Sequence, residues 1–82
     1  MFELEGLESH VETYEPGSKI KEHRHPFSEI RYILEGEMLF NVGGNQFLVR
    51  PGDRLEIPAN TLHWQQCHGQ SRALSLYAQR VF

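Results

Sequence analysis

The chain has 82 residues, 39% of them hydrophobic and 23% charged, with a formal net charge of -3 when the histidines are neutral. That length holds one domain spanning residues 1–82. The composition is that of a soluble globular fold, without the basic surface nucleic acid requires or the long apolar run a bilayer span requires. A domain this small hides only about 60% of the surface its unfolded chain exposes, so a metal, a partner subunit or both is expected to help hold it together. The single cysteine, Cys67, excludes an intramolecular disulfide. The acidic start lacks the basic and apolar regions of a signal peptide, and the expected setting is a reducing cytoplasm.

In chain order, residues 1–8 read as either an edge strand or a disordered start. Residues 10–15 form a first strand and end at the Pro16-Gly17 turn. Residues 20–25 form a second, stopped by Pro26, and 29–35 a third, stopped by Gly36. Residues 37–42 and 46–49 flank Gly43-Gly44, the pair expected in a tight hairpin whose central residues need positive φ. Arg50-Pro51-Gly52-Asp53 is a further turn, and residues 54–57, 62–67 and 72–80 complete about eight strands. Sustained helical periodicity is absent between Glu29 and Ile57, so the expected class is all-β, a small antiparallel barrel or sandwich.

Side chains alternate faces along a strand, which separates inside from outside. Met38, Phe40 and Val42 share an apolar face that Phe47 and Val49 continue, while Leu55 and Ile57 point in and Arg54 and Glu56 point out. Met38, Phe40 and Phe47 are therefore read as core. His23 and His25 stand two apart on an extended segment and share a face. Two imidazoles on one face, the carboxylate of Glu29 four residues on and His63 downstream form a donor set suited to Fe, Mn, Co, Ni, Zn or Cu. The remaining histidines, His10 and His68, are read as surface residues. Tyr32 and Trp64 fall on outward parity, which suggests a covered surface and a homodimer.

The residues from Gly17 to Cys67 resemble the cupin family. Its first motif, G-x5-H-x-H-x3,4-E-x6-G, is met at every fixed position by Gly17, His23, His25, Glu29 and Gly36. Its second, G-x5-P-x-G-x2-H-x3-N, is met at Gly52, Pro58 and His63, with Asn60 in place of the glycine and Cys67 in place of the asparagine. Asn60 is the non-glycine residue best suited to a left-handed turn. The resemblance implies a cupin β-barrel or jelly roll of about eight strands. It also implies one divalent transition metal ion held by His23, His25, His63 and Glu29, with one or two positions left for water or substrate.

The function so implied is that of a metal-dependent enzyme, a dioxygenase, isomerase or lyase, acting on a small polar or anionic molecule. The alternatives are a non-catalytic metal- or small-ligand-binding or sensing module, and a structural dimer. No separate acid–base pair is identifiable. Arg31 shares the face of Glu29 if the strand is regular and would then meet an anionic ligand; a bulge at Glu29 would instead turn it to solvent. Gln65 is a polar contact beside His63. Cys67, on the same parity, is either a small buried residue or a soft ligand or redox-sensitive thiol near the metal.

Overall fold

Gly and Pro punctuation cuts the described residues into eight strands: β1 (Ser9–Tyr14), β2 (Lys19–His23), β3 (Ser28–Glu35), β4 (Glu37–Val42), β5 (Asn45–Val49), β6 (Arg54–Ile57), β7 (His63–His68) and β8 (Ala73–Arg80). This computed structural model describes residues 9–80, so the expectation for residues 1–8 lies outside the described part. The strands form two four-stranded sheets, β1-β8-β3-β6 and β2-β7-β4-β5, in which every pairing is antiparallel. The class is all-β, and no helix among the described residues is long and apolar enough to cross a membrane.

The inner faces meet over a cluster of Tyr14, Ile33, Met38, Phe40, Val49, Ile57, Cys67 and Ala73, all at most 8% exposed. A second, smaller cluster of Ile30, Leu76 and Ala78 lies on the other face of the β8-β3 pair, with Tyr32 packed against it. Tyr32 is thus half-buried on its own sheet, and Trp64 is half-buried with the Lys19 ammonium 4.4 Å above its ring. Phe47 departs from the core reading. It faces Phe40 across the β4–β5 pair, yet it is 43% exposed while Phe40 is fully buried. The reason is position: β5 is the edge of its sheet, so parity turns Phe47 inward without a strand beyond to cover it.

Backbone conformation explains the turns. Gly43 and Gly44 both have positive φ, 57° and 90°, as a two-residue hairpin requires. Gly36 has φ 74°, and a Cβ there would lie 2.2 Å from the Arg72 carbonyl oxygen, so the β3–β4 link and the entry to β8 touch backbone to backbone. Asn60 has φ 59° and is the one non-glycine residue with positive φ among the described residues. Its amide donates to the His25 carbonyl at 2.8 Å, which ties the loop before β7 to the segment after β2. β2 is shorter than the reading of residues 20–25: its register with β7 shifts between Ile20 and His23, and Arg24 and His25 lie beyond its end. Pro26 has no N–H for a ladder and holds His25 extended all the same.

Candidate metal centre

Four elements deliver four donors to one place. His23 closes β2 and is the cross-strand partner of His63, the first residue of β7. His25 follows in the extended segment, its ring stacked on Phe27 at 4.3 Å between centroids. Glu29 is the second residue of β3, held between Ile57 of β6 and Gln79 of β8. The ring centroid of His63 lies 4.2 Å from that of His23 and 4.9 Å from that of His25. One ligating nitrogen from each of the three imidazoles lies within 4.8 Å of the others. Two nitrogens on a common ion, each about 2.0–2.1 Å from it, sit no more than about 4.2 Å apart, so small side-chain rotations close the difference.

Hydrogen bonds set the state of each ring. Nδ1 of His23 donates to the Lys21 carbonyl at 2.7 Å, that of His25 to Phe27 at 3.2 Å and that of His63 to Thr61 at 2.9 Å. A carbonyl only accepts, so all three Nδ1 atoms carry a proton, and a ring in its neutral form presents its lone pair at Nε2. This is the orientation that outer partners impose on metal-binding histidines. Burial lowers the His63 pKa, so its ring stays neutral at pH 7.

The Glu29 carboxylate lies beside two of the three imidazoles. Glu29 is 1% exposed, with Oε1 2.8 Å from His25 Nε2 and 3.6 Å from His63 Nε2. Two lone pairs facing each other at hydrogen-bond distance repel unless a proton or a cation lies between them. His63 Nε2 is buried and has no hydrogen-bond partner. A single cation at this point satisfies the orphaned nitrogen and removes the repulsion together, so the residues present fit a divalent metal ion.

Beside the histidines opens a cavity of about 210 Å³, lined also by Glu12, Tyr14, Ile20, Arg31, Gln65 and Tyr77. Arg31 points inward and is buried, because β3 is regular from Glu29 to Ile33 and its register shifts only between Ile33 and Glu35. Its Nε donates to Glu29 Oε2, and its Nη1 to Glu12 at 2.7 Å, Tyr14 at 3.2 Å and Ser75 at 3.3 Å. The guanidinium also lies 4.4 Å from the centre of the Tyr77 ring. Burial works against its charge, but Glu29, Tyr14 and Glu12 outweigh that and hold it protonated. The Tyr14 hydroxyl donates to Glu12 at 2.5 Å and accepts from Gln65 Nε2 at 2.8 Å, which leaves Gln65 Oε1 buried without a partner. With two carboxylates against one guanidinium, this corner holds one surplus negative charge when the imidazoles are neutral, a field that favours a cation.

Cys67 stands elsewhere. It packs in the apolar cluster with Met38 and Ala73, its thiol directed to the Ser71 carbonyl at 3.3 Å, and it is not among the residues lining the cavity. The placement favours the small buried residue over a thiol near the metal: shared parity with His63 and Gln65 puts Cys67 on the inner face, but two residues further along β7 that face meets the hydrophobic core. Glu12, Tyr14 and Tyr77 are among the lining residues that motif reading passes over. Their signal is parity within β1, where Glu12 and Tyr14 share a face, joined to the pairing of Glu12 with Ser75 on β8.

Known proteins resemble this chain in sequence and in fold. An acireductone dioxygenase of Alcanivorax borkumensis is 41% identical over 49 residues, 55% of this chain and 27% of that protein. A quercetin 2,3-dioxygenase of Bacillus subtilis is 42% identical over 48 residues, 57% of this chain and 14% of that protein. The chain thus matches these curated relatives over about a quarter of their length or less. A Thermotoga maritima crystal structure, described as that of a predicted oxalate decarboxylase, superposes with a TM-score of 0.83 at 25% identity, covering 90% of this chain and 65% of that one. The family model for the cupin domain matches residues 10–78, a stretch that takes in strands of both sheets and all four clustered donors, and the chain therefore belongs to the cupin domain family.

Proposed function

We propose that this cupin domain is a metal-dependent protein in which His23, His25, His63 and Glu29 hold one divalent transition metal ion beside a cavity for a small polar molecule. The observation that carries the reading is the contact of Glu29 Oε1 with His25 Nε2 at 2.8 Å while every Nδ1 is committed to a carbonyl, with His63 Nε2 left buried and unpaired. When bound, the ion supplies a Lewis-acidic centre with positions open to a ligand's oxygen atoms. The chain's own residues do the rest: Phe27, Lys21 and Thr61 orient the rings, Arg31 pairs with Glu29, and Tyr14, Gln65 and Tyr77 line the space a ligand would enter. Two relatives named dioxygenases support turnover of a small molecule by such a centre.

A second reading, binding without turnover, is favoured by the state of the nearest acid–base groups. Glu12 has its pKa lowered, burial being outweighed by Tyr14 and Arg31, and Tyr14 has its pKa raised by burial. Neither exchanges a proton readily near pH 7, where a general acid or base should. Assembly as a homodimer is part of the proposal and rests on the outward parity of Tyr32 and Trp64, both half-buried here. Residence in the cytoplasm is also part of it and accords with a free cysteine.

The test is elemental analysis after dialysis against Fe²⁺, Mn²⁺, Ni²⁺ or Zn²⁺. About one ion per chain is expected for the wild type and almost none for the His23→Ala/His63→Ala double variant. A folded wild-type protein that retains none of these metals would overturn the reading. Incubating the loaded protein with a panel of small polar molecules then separates the two readings, by product formation against a melting shift without product.

A further inference from the structure

We infer that Arg31 is a positioning residue: it turns the Glu29 carboxylate so that Oε1 alone faces the imidazoles, and it is itself held by Glu12 and Tyr14 rather than by a ligand. The inference rests on the metal site proposed above. Glu29 offers two oxygens. Arg31 Nε occupies Oε2, and Oε1 is the atom near His25 and His63. A carboxylate so fixed presents a single donor oxygen, where a free one could rotate to present two.

Much of Arg31's hydrogen-bonding capacity is spent inside the protein. Its side chain is 4% exposed, and its Nε and Nη1 are both spent on internal partners. Its charge already faces two carboxylates, so it offers no uncompensated positive charge to a third. The aromatic face of Tyr77, 4.4 Å away, fixes the plane of the guanidinium. Glu12 is the outermost part of the arrangement, at 42% exposed, and it joins the two groups that hold Arg31, since its Oε1 accepts from both Tyr14 and Arg31. The reach from Glu12 through Arg31 to Glu29 thus runs from the cavity wall to the donor cluster.

The experiment uses Co²⁺ alone as the probe, in the full chain, reading dissociation constant and visible absorption together, with Arg72→Gln, a surface pair partner of Glu35, as the control. Arg31→Gln should weaken Co²⁺ about 10- to 100-fold and change the absorption bands, as loss of an outer partner does. Arg31→Lys keeps the charge but lacks the planar fork, and should recover only part of that loss. Glu12→Gln should weaken Co²⁺ in the same direction, by about threefold, because it acts one step further out. Wild-type affinity and spectrum in Arg31→Gln would overturn the inference; so would an unchanged metal affinity joined to lost binding of small carboxylates, which would assign Arg31 to the ligand. If Arg31→Gln does not fold, Glu12→Gln decides, and a wild-type affinity and spectrum there overturns the inference. A wild-type chain that takes up no Co²⁺ sinks the metal site itself, whereas uptake that the variants leave unaltered sinks only the positioning role.

Discussion

Replacing Glu29 by Gln separates metal binding from folding, because the amide has the same shape and answers the two demands differently. In the metal-free protein its NH₂ can donate to the Nε2 lone pair of a neutral His25 while its oxygen accepts from Arg31 Nε. The loss is the charge opposite Arg31. Breaking a buried pair costs about 3–5 kcal/mol when the remaining charge is stranded. Here Glu12 stays 2.7 Å from the guanidinium, so the metal-free variant should lose less than that. Metal tells the other half. At a free concentration 100 times the wild-type Kd, binding stabilises by about 2.7 kcal/mol, roughly 11–22 °C in Tm for a domain of this size. Outer partners alone are worth about 10- to 100-fold in affinity, so losing a donor atom should weaken binding about 100-fold or more. The variant then sits at or below half saturation and keeps at most about 0.4 kcal/mol, near 2–3 °C. Differential scanning fluorimetry with and without Zn²⁺ or Mn²⁺ measures both quantities. An equal metal-induced shift in Glu29→Gln and wild type would refute the assignment of Glu29 to the donor set.

Other outcomes follow from single positions. Gly36→Ala places a methyl group 2.2 Å from the Arg72 carbonyl in a left-handed conformation; it should cost at least about 3 kcal/mol, or some 12 °C in Tm, and a loss below 1 kcal/mol by urea unfolding would contradict the contact. Asn60→Gly should be neutral within about 1 kcal/mol, whereas Asn60→Val should cost about 1–2 kcal/mol or more at φ 59°. Glu12 has its pKa lowered in the folded state, so its stabilisation is full above the ordinary value of 4.5 and fades as pH falls through the lowered one. Glu12→Gln should therefore melt below wild type at pH 7, with the gap closing as the pH is taken below 4.5; a gap independent of pH would count against the Glu12–Arg31 pairing.

Much of the architecture was legible because turn chemistry and parity are local. Gly43-Gly44 needs positive φ at both residues, and Asn60 is the residue that tolerates it outside glycine; both are seen. The four candidate donors were legible as a spacing, and bringing them near one another needed only that β2 and β7 pair and that Glu29 lie near the start of β3. What parity cannot report is which strand lies at an edge. Phe47 has the face of a core residue and the exposure of an edge one. Arg31 was undecided in the sequence because one bulge would reverse it, and the bulge lies beyond Ile33, after the residue it would have turned. Glu12, Tyr14 and Tyr77 were illegible for a different reason. They reach the cavity through the β1–β8 and β3–β8 registers, which join residues about 40 to 70 positions apart. Cys67 shows the limit of a shared face: strand alternation gives direction, and the distance along β7 decides whether that direction meets donors or core.

The central claim is that three imidazoles and one carboxylate share an ion, and X-ray absorption spectroscopy of the Zn²⁺-loaded protein tests it most directly. The account predicts nitrogen and oxygen scatterers only, at about 2.0–2.2 Å, with the outer-shell pattern of three imidazoles and no sulfur. A scatterer at about 2.3 Å would bring Cys67 into the shell, and a pattern with fewer than two imidazoles would remove the histidine cluster; either result contradicts the account.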